Sequence, residues 1–188
     1  MKKALIIHGW DGNPDEPLHQ YLRGELEAVG YKVEIPNMPN PAAPIIKDWV
    51  NKMASVFDEK TDLIIGHSIG CQAVLRFIET LDSSISIPKV ILIAPWMKLD
   101  MNTIEEEGEE VIEIARPWME TPINFEKIKK TVKSVIAIFS DNDSYVPLDQ
   151  EEYFKTKLDA MTFIEHNQGH FTISDNFKGL QTDFKKLL

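Results

Sequence analysis

Residues 63–74 read LIIGHSIGCQAV, and this stretch decides the fold. An apolar run leads into GHSIG, and apolar residues at helical spacing follow it. A G-x-S-x-G sequence at such a junction is typical of a strand that turns sharply into a helix and exposes the serine hydroxyl above a sheet. We expect Gly66 and Gly70 to remove side chains that would collide in this turn beside Ser68. Since one such motif can arise by chance, the rest of the chain has to support this interpretation.

Short apolar runs alternate with amphipathic helical patterns along the whole chain. Several runs are continuously apolar, as expected of parallel strands that are buried on both faces. This alternation predicts an α/β fold, a mostly parallel six-stranded sheet covered by helices on both faces, with right-handed crossovers. Apolar residues within 177–188 also predict a closing helix. The predicted strands are residues 4–7, 32–35, 63–65, 90–94, 135–139 and 162–165.

The length and composition suit one domain, 1–188, because 188 residues with 43% hydrophobic side chains can bury a sizeable core. One segment, 97–122, interrupts the alternation and is rich in Trp and Pro near its end. Because it follows the predicted strand 90–94, we expect it to be a small lid-like insertion. Its acidic run, 105–110, reads EEEGEE and is interpreted as a solvated helix face or loop rather than a metal site.

The charge and the single cysteine exclude several classes of function. The formal net charge is -10, and an acidic surface repels phosphate backbones and anionic lipid, so we expect no nucleic acid and no membrane as a partner. No apolar stretch approaches membrane-spanning length, and the run at 4–7 is too short for a signal peptide. Cys71 is the one cysteine, so no intrachain disulfide and no cysteine zinc site can form. We therefore expect a soluble, cytoplasmic protein.

A serine hydroxyl is a weak nucleophile until a base takes its proton, and an acceptor must hold that base in the right tautomer. Two of the five histidines, His166 and His170, follow the last predicted strand. His170 comes after a flexible Gly169 at the carboxyl edge of the sheet, which makes it the better base for Ser68, whereas His166 is interpreted as a polar loop residue. The other three are expected to shape loops or to lie at the surface or the edge of a pocket: His8, His67 and His19.

The acid should come from the loop after the preceding strand, which gives the chain order Ser, Asp, His. The loop 140–147, SDNDSYVP, follows the predicted strand 135–139 and offers Asp141 and Asp143. Asp141 directly follows the strand and can instead cap the turn. The residues alone leave both aspartates as candidates.

An oxyanion formed during acyl transfer needs two backbone N–H donors. Ile69 follows the serine and supplies one, and we expect Trp10, in the loop after the first strand, to supply the other. Trp96 follows the predicted strand 90–94, and Trp118 lies in the insertion. If all three tryptophans converge above the serine, they leave a narrow apolar slot, which predicts a preference for short acyl esters. The alternative is that Trp118 packs the insertion onto the sheet.

Motifs spread over almost the whole chain match one known family. They are IIHGW (6–10), NMPNP (37–41), DW (48–49), GHSIGCQAVLRF (66–77), RPW (116–118), FEKIK (125–129), VP (146–147) and GHF (169–171). With these motifs the chain resembles the α/β-hydrolase superfamily and, more narrowly, the compact serine hydrolases of the retinoblastoma-binding protein 9 and YdeN type. GHSIG alone marks the superfamily, whereas NMPNP together with GHF is much more specific.

The resemblance implies a reduced hydrolase sheet that lacks the first antiparallel strands of larger members and has the strand order 2-1-3-4-5-6. It also implies that the acid is the aspartate ahead of Val-Pro, which here is Asp143, and that neither a metal nor a cofactor takes part.

The function predicted from these features is a serine hydrolase that cleaves small carboxylic esters through an acyl-enzyme on Ser68, Asp143 and His170. A peptidase, an amidase or an acyltransferase with the same triad is the alternative within the enzyme class. A protein-binding module on a hydrolase fold with little turnover is the alternative outside it, because a fold alone does not establish a function. The expected partner is a small ester or amide substrate, and a protein partner stays open.

Overall fold

The continuous apolar runs of the sequence form a sheet in the computed structural model, which describes residues 1–188. The strands are β1 (Lys2–Ile7), β2 (Tyr31–Glu34), β3 (Leu63–His67), β4 (Lys89–Ile93), β5 (Val135–Ser140) and β6 (Met161–Glu165). They lie in the order β2-β1-β3-β4-β5-β6, and every neighbouring pair is parallel. The predicted fold class and strand order are confirmed.

Helices connect the strands and cover both faces of the sheet. They are α1 (Pro17–Ala28), α2 (Ile46–Val56), α3 (Ile69–Thr80), α4 (Met101–Glu107), α5 (Glu109–Glu120), α6 (Phe125–Thr131) and α7 (Gln150–Leu158). The crossover from β1 to β2 runs toward one edge of the sheet, and the later crossovers run toward the other. Because such connections are right-handed, α1 covers one face, and α2, α3, α6 and α7 pack side by side on the opposite face. No helix is both long enough and apolar enough to cross a membrane.

The middle of the sheet is the most buried part of the molecule. Every residue of β3 and β5 is buried, which explains why these runs are continuously apolar rather than alternating. The loops after β3, β5 and β6 all leave the carboxyl edge of the sheet. That edge is where open α/β sheets build their sites, so these loops bring distant parts of the sequence together.

The predicted closing helix over 177–188 is wrong. The structure has turns and irregular backbone there, followed by a short 3-10 helix, Phe184–Leu187. The buried carboxylate of Glu165, at the end of β6, accepts the backbone N–H groups of Gln181 and Thr182, which gives those groups partners outside a helix. The apolar side chains still contribute to the core, although no regular helix carries them: Phe177, Phe184 and Leu187.

The segment 97–122, which follows β4, contains two helices that the sequence did not resolve, α4 and α5. α4 and α5 meet at Gly108, whose φ of +110 lies in the region that favours glycine. The acidic run 105–110 spans this junction, and all five of its glutamates are exposed to solvent.

Candidate active site

The junction of β3 and α3 is a sharp turn whose geometry depends on two glycines. Ser68 occupies it with φ 53 and ψ -123, a conformation that is rare for a residue with a side chain. A Cβ atom on Gly66 would lie 2.7 Å from the backbone N of Cys71, and one on Gly70 would lie 2.5 Å from the carbonyl oxygen of Ile7. Both are far inside van der Waals contact. The expectation that these glycines remove colliding side chains is therefore confirmed.

Three polar side chains from three loops form a continuous chain of hydrogen bonds. Ser68 Oγ lies 2.9 Å from His170 Nε2, and His170 Nδ1 lies 2.8 Å from Asp143 Oδ2. The other carboxylate oxygen of Asp143 accepts the backbone N–H groups of Tyr145 (2.9 Å) and Val146 (3.1 Å). The side chains of Asp143 and His170 are only 2% and 13% exposed. With Nδ1–H donated to a fixed carboxylate, Nε2 presents its lone pair to the serine hydroxyl.

A second aspartate–histidine pair lies nearby on the surface. His166 Nδ1 is 2.6 Å from Asp141 Oδ2, and the two side chains are 71% and 34% exposed. The other oxygen of Asp141 accepts the backbone N–H of Asn167 at 2.8 Å. The hydrogen bond from His166 lowers the pKa of Asp141 below its usual value. The structure thus joins His170 to Asp143 and Ser68, and His166 to Asp141; the catalytic roles of all these residues stay predictions.

Two backbone N–H groups beside the serine have no hydrogen-bond partner within the protein. They belong to Ile69, the first residue of α3, and to Trp10, in the loop after β1. That loop passes close to the serine, since a Cβ on Gly9 would lie 3.4 Å from Ser68 Cβ. The two donors are the ones that the sequence predicts for an oxyanion hole.

A cavity of about 380 Å³ opens over the serine. Trp10 and Trp96 form part of its wall, and Trp96 Nε1 lies 3.4 Å from Ser68 Oγ. Apolar side chains from the segment 97–122 complete the wall on one side: Leu99, Ile104 and Val111. Two of the three tryptophans expected above the serine are therefore present at its cavity.

The expectation that Trp118 joins them is wrong. Trp118 is completely buried on α5, donates its Nε1–H to the carbonyl oxygen of Pro44 at 2.9 Å, and packs edge-on against Trp49. The guanidinium of Arg76 lies over its ring and donates to its backbone carbonyl. Because Trp118 is anchored against α2 and α3, it joins the insertion to the helical layer. The alternative that the sequence left open, packing of the insertion onto the sheet, is therefore nearer to the structure, although the partners of Trp118 are helices.

The charged side chains of the cavity wall are acidic. Neither lysine nor arginine lines it, and the carboxylates that do belong to Asp11, Glu16 and Glu107. Tyr145 donates its hydroxyl to Glu107 at 2.7 Å, and this hydrogen bond raises the pKa of the tyrosine to about 12. The ring of Tyr145 also lies 5.2 Å from that of His170. Tyr145 therefore connects Glu107, at the end of α4, to the proposed catalytic histidine.

Behind the cavity lies a cluster of buried histidines that sequence reasoning missed. His19 is completely buried, so the expectation that it lies at the surface or the edge of a pocket is wrong. It shares the apolar face of α1 with Leu22 and Leu26, and that helical spacing was the available signal. Burial lowers the pKa of His19 to about 4 and keeps the pKa of His67 well below its ordinary value, so both rings are neutral at pH 7.

These histidines also belong to the one group of side chains that could hold a metal ion. One ligand atom from each of Glu16, His19 and His67 lies within 4.8 Å of the others. Glu16 Oε2 is 3.6 Å from His19 Nδ1, and burial raises the pKa of the glutamate.

Comparison with known proteins gives a consistent relationship over the whole chain. The family model described as Serine hydrolase matches residues 4–187. The protein YdeN of Bacillus subtilis is 28% identical over 182 residues, which cover 95% of this chain and 90% of YdeN. The serine hydrolase RBBP9 of Rattus norvegicus is 30% identical over 175 residues, which cover 90% of this chain and 87% of RBBP9. The crystal structure of the ydeN gene product superposes with a TM-score of 0.86 at 26% identity, covering 100% of this chain and 97% of that one.

Proposed function

Because the chain belongs to the serine hydrolase family and is a hydrolase of the α/β-hydrolase fold, we propose that it cleaves small carboxylic esters through an acyl-enzyme on Ser68. One observation carries the proposal: the hydrogen bonds from Ser68 through His170 to Asp143 end at a hydroxyl that opens into the cavity. A nucleophile, a base and an orienting acid in this order are what acyl transfer requires.

In the first half of the reaction, His170 Nε2 takes the proton of Ser68 Oγ as the oxygen attacks the acyl carbon. The carbonyl oxygen becomes an oxyanion, and the free N–H groups of Ile69 and Trp10 hold it. When the tetrahedral intermediate collapses, the ester C–O bond breaks, and the proton on Nε2 passes to the leaving alcohol. The acyl group remains on the serine.

In the second half, water takes the place of the alcohol. His170 removes a proton from the water as its oxygen attacks the acyl-enzyme, and then returns the proton to Ser68 Oγ as the acid leaves. Asp143 keeps Nδ1–H as the donor and stabilises the imidazolium that forms in both halves. Each cycle consumes one ester and one water, and it releases one alcohol and one acid.

The cavity supports short, uncharged acyl groups as substrates. A volume of about 380 Å³ walled by Trp10 and Trp96 leaves little room for a long chain beside the serine. The carboxylates in the wall, with no lysine or arginine among them, disfavour anionic acyl groups.

We further propose that 1–188 works as a single domain in which the segment 97–122 covers the site. Ile104, Glu107 and Val111 line the cavity from that segment. The hydrogen bonds from Tyr145 to Glu107 and from Thr103 to the carbonyl of Ser144 tie it to the loop that carries the acid. The cytoplasmic location and the small-molecule substrate stay predictions.

Fluorophosphonate labelling followed by peptide mass spectrometry tests the nucleophile directly. We expect the label on Ser68 in the wild-type chain and no label in Ser68→Ala. A series of p-nitrophenyl esters from acetate to decanoate then tests the reaction, with the highest kcat/KM expected at the short end. A chain that is neither labelled nor active on any of these esters would contradict the proposal and favour a binding role.

A further inference from the structure

The peptide that carries the proposed oxyanion donor of Trp10 is held by a histidine that does not line the cavity. His8 directly follows β1 and is only 1% exposed. Its Nδ1 lies 2.8 Å from the carbonyl oxygen of Gly9, and its Nε2 lies 3.0 Å from the backbone N of Met38. Both ring nitrogens therefore have backbone partners, although the proposed reaction gives this ring no role.

These two partners determine the tautomer of His8. The backbone N–H of Met38 can only donate, so Nε2 accepts it with a lone pair and carries no proton. The proton of the neutral ring therefore lies on Nδ1, which donates it to the carbonyl oxygen of Gly9. Burial lowers the pKa of His8 below its ordinary value, which agrees with a neutral ring at pH 7.

A fixed carbonyl group also fixes the N–H group on the other side of the same peptide. The chain has no cis peptide bond, so the Gly9 C=O and the Trp10 N–H point in opposite directions from one rigid plane. The carbonyl oxygen also accepts the backbone N–H of Gly12 at 3.2 Å. Rotation of this peptide would turn the Trp10 N–H away from the oxyanion, and it would break both hydrogen bonds to the carbonyl.

The segment 37–42, which contains the NMPNP motif, holds the same loop at two further points. The carbonyl oxygen of Pro41 accepts the backbone N–H of Asp11 at 2.7 Å. The carbonyl oxygen of Ala42 accepts the indole N–H of Trp10 at 2.9 Å. Since the N–H that the imidazole accepts belongs to this segment too, the ring and the loop share one support.

Trp49, from the DW motif on α2, holds both this segment and the imidazole. It is completely buried, donates its Nε1–H to the carbonyl oxygen of Pro39 at 2.8 Å, and packs edge-on against His8 with ring centroids 5.5 Å apart. The NMPNP and DW motifs have no part in the chemistry of the proposed reaction. Their contacts place them instead behind the loop that carries the proposed oxyanion donor.

We propose that His8 is a positioning residue of the oxyanion hole, which holds the Gly9–Trp10 peptide so that the Trp10 N–H points at the developing oxyanion. This inference rests on the proposed ester hydrolysis and adds the residue that keeps one of its two donors in place. His8 acts through this peptide and exchanges no proton with the substrate. A donor that is oriented in advance stabilises the transition state without reorganisation during the reaction.

Two polar substitutions separate the two hydrogen bonds of the ring. In His8→Asn, the side-chain NH₂ replaces Nδ1 as the donor to Gly9, and the acceptor for Met38 is lost. In His8→Gln, the longer side chain brings its oxygen to the position of Nε2, and the donor to Gly9 is lost. His8→Gln should lower kcat for a short p-nitrophenyl ester about a hundredfold, the cost of a displacement of about 1 Å. His8→Asn should keep most of the wild-type kcat.

A pair of ketone inhibitors provides a readout that a purely structural role of His8 would not change. The serine oxygen adds to the carbonyl carbon of a trifluoromethyl ketone, its proton passes to His170, and the carbonyl oxygen becomes an oxyanion. The matching methyl ketone binds mainly without this addition. The preference for the trifluoromethyl ketone, measured as a ratio of inhibition constants, should fall about a hundredfold in His8→Gln and little in His8→Asn. Fluorophosphonate titration to completion corrects each value for the fraction of active protein.

His19→Gln is the matched control, because His19 is equally buried and its Nδ1 contacts the carbonyl oxygen of Asn13 rather than that of Gly9. It should keep the wild-type ketone preference. An unchanged preference in His8→Gln, or equal losses in His8→Gln and His8→Asn, overturns the inference and leaves the proposed hydrolysis in place. A wild-type chain with neither ester turnover nor a preference for the trifluoromethyl ketone overturns both proposals.

A measurement on the wild-type chain decides if His8→Gln does not fold by circular dichroism. Long-range proton–nitrogen NMR correlations of labelled histidine rings report which nitrogen carries the proton. We expect the proton of His8 on Nδ1 at neutral pH, with the signal assigned by its absence from the spectrum of His8→Asn. A proton on Nε2 would leave the Gly9 carbonyl without its donor and would overturn the inference.

Discussion

Two aspartate–histidine pairs connect the same two loops, those after β5 and β6, yet only one of them reaches the serine. Asp141 with His166 and Asp143 with His170 have nearly the same separation, 2.6 Å and 2.8 Å. The first pair is exposed, and the second is buried between the sheet and the cavity. A short distance between a carboxylate and an imidazole therefore does not identify a catalytic pair.

The two pairs differ in how deeply they are buried and in whether the histidine contacts Ser68. Solvent screens the exposed pair, so it is worth little to stability. The buried pair lies in an environment of lower polarity, where each hydrogen bond is stronger, and backbone N–H groups hold the carboxylate in place. The orientation of His170 is thereby set before any substrate binds. A backbone N–H also holds the carboxylate of Asp141, but the ring of its partner His166 is 71% exposed and does not contact the serine.

The largest effect on activity is expected from removing the hydroxyl of Ser68, which His170 of the buried pair contacts. Ser68→Ala should lower ester kcat by about a million-fold, as the loss of a triad nucleophile does elsewhere, while the thermal midpoint stays close to that of wild type. Ser174→Ala is the matched control, because Ser174 also lines the cavity and has no partner in the proposed mechanism. Activity within tenfold of wild type in Ser68→Ala would contradict the assignment of Ser68 as the nucleophile.

The second test compares the two acids directly. Asp143→Asn should lower kcat about ten-thousand-fold, because an amide can hold His170 in the wrong tautomer. Asp141→Asn makes the same chemical change in the exposed pair and should leave kcat close to the wild-type value. Both are measured on one short ester at saturating substrate. A larger loss in Asp141→Asn would require the acid to be reassigned.

A third test concerns the cavity that the buried pair faces. Trp96→Ala should move the chain-length optimum toward longer acyl esters, with up to about a fourfold gain in kcat/KM for each methylene that the enlarged pocket accepts. Trp118→Ala is the control, since Trp118 lies outside this cavity; it should lower stability by about 3–5 kcal/mol without moving the optimum. A wild-type enzyme that prefers long-chain esters would contradict the crowded pocket.

The smallest effect is expected at the exposed pair itself. His166→Gln removes the partner of Asp141, and because solvent screens this interaction, the urea midpoint should not change measurably. His170→Gln, measured beside it, should abolish turnover while the chain stays folded. A clear loss of stability in His166→Gln would mean that the exposed pair anchors the β6 loop after all.

Local patterns in the sequence were enough for the sheet and the turn. Short apolar runs, several of them continuous, predicted all six strands to within a few residues at each end, and GHSIG located the turn and its two required glycines. These signals can be recognised in short stretches of sequence, although the close approach that requires Gly70 is to Ile7 on β1. The closing helix failed for a reason outside its own segment, since Glu165 takes the backbone N–H groups that a helix would use.

The contacts between distant side chains could not be predicted from local patterns in the same way. The sequence by itself determined the fold class and the position of Ser68. It also narrowed the acid to two aspartates and the base to two histidines. Only the tertiary structure decided that His170, 102 residues from Ser68, meets it, that Asp143 supports it, and that Trp118 lies elsewhere. It also showed that His19 turns inward to face His67. The physical reason is that periodicity reports which face of an element is buried, whereas the path of a loop determines which buried groups meet.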